Sequence, residues 1–330
     1  MRSLSATLLA AQQGASNTPY LKVEVKNKIT GITRFAWERL YQGNEAEYYH
    51  GLTASGDGSL IRVRITLPSD SCKLYRQRVA NPGSQSDFSV WTYTGQTNCL
   101  AVAVASYGAE VSIFWINSNR ELRRLKSIDY GVSWSSPELL DYSPTADVHG
   151  LAAAYKSNGN LAVFFTNQTS LFIKKCVGGS WQTKAVWDKN TGELSSVAAV
   201  YSSDWNLLVT GQDAVGNFKV WSLVYGDGGN VSTGVWSPLK ELAAAPAGGD
   251  FLYGAVFTDK PDVYRAFYME KFNGVQSYSR PFWTHSIPDA GFVDNLWREP
   301  VPFNLSCEYG IAISPSGNYA WLSTASVMYQ

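Results

Sequence analysis

Charge is scarce in this chain. Only 16% of its 330 residues are charged, and 27 basic residues balance 27 acidic ones. A net charge of zero without a basic stripe gives no electrostatic footprint for nucleic acid or for an anionic membrane surface. Histidine is rarer still, with three residues, and the four cysteines, Cys72, Cys99, Cys176 and Cys307, form no CxxC pair and have no histidine beside them. That pattern argues against a zinc site, and no metal or cofactor is expected. Cys72 and Cys99 lie close enough in sequence to meet across adjacent strands, but buried free thiols are the simpler expectation. No GxSxG, HExxH or phosphate-cradling glycine loop occurs. No apolar run is long enough to cross a bilayer as a helix, so membrane insertion is not expected. Helical periodicity is missing after about residue 15.

What the chain has in quantity is aromatic side chains, 14% of the total, and 28 glycines. Six tryptophans, Trp37, Trp91, Trp134, Trp181, Trp236 and Trp283, recur at gaps of 54, 43, 47, 55 and 47 residues by subtraction. Such spacing matches the period of four-stranded propeller blades. Small-residue apolar segments at 100–108, 151–155, 197–201 and 309–313 each precede a turn and a second apolar strand. An innermost blade strand needs small residues because several copies converge on one axis. The expected fold is therefore all-β, a propeller of six four-stranded blades, or seven if the stretch between Trp283 and Ser306 holds another. The C-terminal copy stops after two strands, so residues 20–25 and 32–37 are expected to supply its missing outer pair and close the ring, removing exposed sheet edges. Residues 20–330 then form one domain. Residues 1–19 form a leading segment, with a short helix over residues 4–13 carrying Leu4, Leu8 and Leu9 on one side, and residues 1–18 could attach the propeller to an assembly partner.

The sharpest local motif spans residues 127–134, with Ser127, Asp129, Gly131 and Trp134 at fixed spacing. Asp129 can accept bonds from turn amides, Gly131 can take a positive φ, and Trp134 can fold back on the blade. The motif resembles the Asp box of sialidase-like (BNR) propellers, and a stretched copy runs from Asp227 to Trp236. In that family the box is structural and lies away from the substrate. The arginine-bearing Phe/Tyr-Arg-Ile-Pro signature of the active enzymes is absent here, so the resemblance implies a non-catalytic member. Residues 60–65, with Arg62 and Arg64, look similar to the arginine-bearing strand of six-bladed fucose lectins, in one blade only.

Candidate ligand-binding residues follow from residue type and placement. Trp205 and Asp204 fall between two strands, where a core tryptophan has little reason to be. Arg62, Arg64 and Arg265 could take hydroxyl or carboxylate oxygens, and His50 and His149 each precede a glycine at equivalent inner strands. The resulting expectation is a non-catalytic recognition propeller for a glycan or cell surface, extracellular or virion-associated, for instance in a phage tail. A diverged sialidase-like glycoside hydrolase would instead need a carboxylate pair and an arginine cluster on one rim. A protein-interaction scaffold would show a flat or apolar channel mouth.

Overall fold

The computed structural model describes residues 49–82, 88, 90–143, 148, 150–188, 192–201, 204–226, 235–245, 254–256 and 315 with their side chains, and elsewhere the backbone of the strands given below. Six antiparallel sheets of four or five strands follow one another along the chain. Blade 1 comprises Tyr49–Ala54, Leu60–Ile65, Leu74–Val79 and Thr92–Tyr93. Blade 2 comprises Cys99–Tyr107, Glu110–Asn117, Glu121–Ser127 and Glu138–Tyr142. Blade 3 begins with Gly150–Tyr155, Leu161–Thr166 and Ser170–Val177, and blade 4 with Leu194–Tyr201, Trp205–Gln212 and Phe218–Gly226. Blade 5 begins with Gly249–Lys260, Val263–Phe272 and Ser279–Ile287. Blade 6 joins Ile311–Ile313, Ala320–Leu322 and Val327–Tyr329 to an N-terminal strand, Arg39–Gln42. Inner strands touch in the order of blades 1 to 6, and that of blade 6 touches that of blade 1.

Small side chains at the centre have a direct steric cause. A Cβ on Gly150 would stand 2.7 Å from the Val197 amide nitrogen, so the inner strands of blades 3 and 4 approach more closely than any side chain allows. Between blades the core is apolar: Ile61, Val63 and Ile65 of blade 1 pack with Val102, Val104 and Trp115 of blade 2. From blade 1 to blade 5 each blade thus buries one face against its successor, and these cores are seams rather than one central mass.

Several expectations shift. The strand that completes blade 6 is Arg39–Gln42, paired with Val327–Tyr329, and not residues 20–25 or 32–37. Those two regions instead contribute Val23–Asn27 and Thr33–Trp37 to a separate three-stranded sheet with Leu4–Leu8. Residues 4–8 are therefore a strand and not part of a helix over 4–13. A ten-residue helix is marginal in water, whereas pairing with Val23–Asn27 satisfies the backbone groups along one edge. Between Trp283 and Ser306 no further blade is inserted, because Leu296–Trp297 and Val301–Pro302 pair with the third strand of blade 5. The same arrangement marks blades 3 and 4, where Ser180–Trp181 and Val235–Trp236 pair with the third strand. Trp297, rather than Trp283, is therefore the topological counterpart of Trp181 and Trp236. Cys72, Cys99 and Cys176 are free thiols, and burial pushes the Cys99 pKa up to about 12. Cys307 lies outside the described residues.

Candidate functional site

The register of blade 1 decides where its arginines go. Arg62 pairs with Gln77 and Arg64 with Tyr75, while Val63 pairs with Arg76 and Ile61 with Arg78. Because side chains alternate across a strand, Arg62 and Arg64 project to one face and Arg76 and Arg78 to the other, toward blade 2.

On the first face Arg62 is fully buried. Its Nη1 donates to Gln77 Oε1 at 2.8 Å, and its guanidinium lies 4.8 Å from the Trp91 ring centre. Gln77 Nε2 in turn donates to the Phe88 carbonyl at 2.6 Å. Arg64 lies over Trp91 at 4.3 Å and over Tyr75 at 5.3 Å. This stack of cations and rings knits the blade together.

Toward blade 2 a cleft of about 300 Å³ opens, lined by Arg76, Arg78, Val90, Thr92, Val132 and Trp134 among others. Arg76 sits 5.2 Å from the Trp134 ring centre, is half-buried, and makes no hydrogen bond or ion pair among the described residues. Burial lowers its pKa from the ordinary guanidinium value. Arg78 is occupied: Nη2 pairs with Asp57 at 2.7 Å and Nε donates to the Tyr130 carbonyl at 2.9 Å. Asp57 ionises well below the usual carboxylate range. Its partial burial is outweighed by hydrogen bonds from Ser55, Ser59 and Arg78.

Blade 2 supplies the opposite wall through the turn at 127–134. Ser127 Oγ donates to Asp129 Oδ1 at 2.7 Å and accepts from the Gly131 N–H at 2.8 Å. Asp129 also accepts from the Ser133 hydroxyl at 2.5 Å and the Ser133 N–H at 2.8 Å, and these bonds bring its pKa down to about 2. Gly131 has φ of 84°, and its carbonyl accepts from Trp134 Nε1 at 2.9 Å, which fixes the indole with its ring available to the cleft. Val132 and Val90 are largely exposed at the rim.

Strand register identifies the equivalent positions at the next two junctions. Arg124 stands opposite Phe114 as Arg76 stands opposite Val63, and Ile173 stands opposite Phe164. Arg124 lies 5.6 Å from the Trp181 ring centre, but its Nη2 is held by Glu110 Oε1 at 2.8 Å and its Nε by Ser112 Oγ at 3.0 Å. Lys126 and Tyr155 also bond Glu110, at 2.7 and 2.8 Å. Ile173 carries no charge. Of these three junctions, the first alone presents an arginine without an internal partner, over a tryptophan.

Other sequence candidates do not converge on this cleft. Trp205 begins a strand, is 1% exposed, and belongs to the core of blades 3 and 4 with Phe164, Tyr225 and Leu223. Residue 205 was expected in an open turn, but the strand starts there and its pairing with Tyr225 carries the indole into the seam. Asp204 is half-buried just ahead of it, with its carboxylate beside Gly226. His50 lies on the inner strand of blade 1 opposite Arg64, with both ring nitrogens shut off from solvent, which removes it from the channel rim. Arg265 is placed by its backbone, in register with Phe257 and His285 in blade 5, while His149 lies outside the described residues. Arg76, Arg78 and Val132 went unremarked in the sequence. The i, i+2 spacing of the two arginines beside a turn tryptophan was the available signal, but Arg62 and Arg64 show the same spacing.

No family model matches the sequence, and no curated protein matches it significantly. Solved structures do resemble it. Among them are α-L-arabinanase of Penicillium chrysogenum complexed with arabinobiose, TM-score 0.55 at 9% identity, covering 88% of this chain and 96% of that one. A variant Aleuria aurantia lectin in complex with Fucα1-6GlcNAc gives 0.53 at 12% identity, covering 86% and 94%. AofleA of Arthrobotrys oligospora gives 0.53 at 12%, covering 92% and 87%. At these identities the likeness establishes a shared propeller fold, one that serves lectins and glycoside hydrolases alike.

Proposed function

We propose that this protein is a non-catalytic recognition propeller that binds a glycan, free or on a cell surface, in the cleft between blades 1 and 2. Arg76, half-buried, unpaired among the described residues and facing Trp134, is the observation that carries this reading. A sugar presents a C–H face that stacks on an indole ring and oxygens that accept from a guanidinium, and this cleft offers both at once. Thr92 adds a hydroxyl and Val132 an apolar rim. The sugar ligands named for the Aleuria lectin and the Penicillium arabinanase support a glycan-related role for this propeller.

Recognition is favoured over hydrolysis because, among the described residues, no carboxylate lines the cleft. A sialidase-like or other glycoside hydrolase needs acidic groups flanking the scissile bond. Among the described residues Leu4–Leu8, Val23–Asn27 and Thr33–Trp37 are hydrogen-bonded to one another and not into a blade, which supports attachment to an assembly partner through residues 1–18, as on a phage tail.

A glycan array of the full chain, run beside hydrolysis of fluorogenic glycosides, tests the proposal. Binding without turnover is expected, with Arg76→Met weakening binding about tenfold or more at unchanged melting temperature. Silence on the array would overturn the glycan reading, and turnover would replace it with the hydrolase.

A further inference from the structure

Blade 2 contains its own version of the site with the ligand position filled. There an arginine over a tryptophan, Arg124 and Trp181, is held by the Glu110 carboxylate at 2.8 Å. Glu110 precedes Ser112 by two residues on the second strand, and the same offset before Ile61 in blade 1 is occupied by Ser59. Ser59 is buried, and its hydroxyl is turned to Asp57 at 2.7 Å. At the first junction the internal carboxylate is therefore missing, while the arginine and the tryptophan remain.

The charge balance points the same way. Arg78 is neutralised by Asp57, Asp129 is committed to its own turn, and no further carboxylate lines the cleft among the described residues. Among the described residues one positive charge, that of Arg76, is left uncompensated in a half-buried position. Sugar hydroxyls would satisfy its donors but not its charge, whereas a carboxylate does both, and its two oxygens match the planar guanidinium fork.

We infer that the cleft between blades 1 and 2 selects sugars bearing a carboxylate, with Arg76 taking the place toward the ligand that Arg124 takes toward Glu110. The inference rests on the glycan reading above and narrows it to an acidic sugar class. Stacking on Trp134 orients the ring, and Arg76 reads the acid.

Calorimetric titration of the full chain with matched pairs distinguishes the two layers of the argument. The probes are the methyl glycosides of glucuronic and galacturonic acid, their neutral parents glucose and galactose, and short oligomers of each. An acidic sugar should bind about 10- to 100-fold more tightly than its neutral parent, as expected for a charge-assisted bond in place of a neutral one. The preference should shrink as salt is raised, and should vanish in Arg76→Met, where acidic and neutral sugars should bind equally and both more weakly than to the parent protein. Equal or tighter binding of the neutral parents would overturn this inference and leave the glycan reading standing. Binding of neither class would remove both.

Discussion

Truncating Trp205 separates a core role from a ligand role. The indole is 1% exposed and packs against Tyr201, Tyr225 and Phe164 at ring-centre distances of 5.3, 6.0 and 6.4 Å, with the Lys156 ammonium 4.4 Å from its centre. Replacing it with alanine removes that contact area from both sides of the seam between blades 3 and 4, and large-to-small changes of this kind cost about 3–5 kcal/mol. The indole Nε1 is buried with no hydrogen-bond partner among the described residues. Trp205→Phe therefore forfeits no hydrogen bond and relieves an unsatisfied donor worth about 1–3 kcal/mol, against a smaller cavity penalty of similar size. Alanine should thus destabilise severely and phenylalanine by about 1 kcal/mol or less. Urea unfolding of both variants measures the difference, with Trp205→Phe retaining sugar binding. Two results would refute the reasoning: an alanine variant as stable as the parent but unable to bind, or a phenylalanine variant as unstable as the alanine one.

Gly131→Ala should lower stability by about 1–2 kcal/mol and weaken sugar binding, because φ of 84° disfavours a side chain and the added Cβ would stand 2.6 Å from Ile61 Cδ1; thermal melting and titration read both effects. Asp129 has a folded pKa of about 2, below its ordinary 3.8, so its contribution to the turn is fully present above about pH 4 and is lost as pH falls toward 2. The Trp134 indole N–H resonance should hold its position down to about pH 4 and shift below it, and a resonance unmoved at pH 2 would contradict the assignment. Arg124→Met should cost about 1–3 kcal/mol in denaturant unfolding, less than a wholly broken buried pair, because Lys126 and Tyr155 still serve Glu110.

Recurrent tryptophans and small-residue strands made the blades legible, because both are local consequences of a repeated four-stranded unit. The turn at 127–134 was legible for the same reason: the hydrogen bonds of the Ser127, Asp129 and Trp134 side chains close within the turn itself. Trp205 was misread because a strand boundary lying two or three residues away changes an exposed turn position into a seam position. Closure was misread at the level of partner choice, since either Thr33–Trp37 or Arg39–Gln42 could present a strand to Val327–Tyr329, and neighbouring sheets decide between them.

By itself the sequence determined the blade period, the small-residue axis and the chemistry of the turn at 127–134, all properties of residues within about one blade of each other. The tertiary structure alone decided which arginines face a partner and which face a ligand. Arg62 and Arg64 share with Arg76 and Arg78 the same spacing and the same neighbouring tryptophans in the chain. Only the pairing of Leu60–Ile65 with Leu74–Val79 sends the two pairs to opposite faces, and only the register shows that Ser59 stands in blade 1 where Glu110 holds Arg124 in blade 2. Strand alternation makes faces readable within a strand, but what each face meets is fixed by packing between blades far apart in sequence.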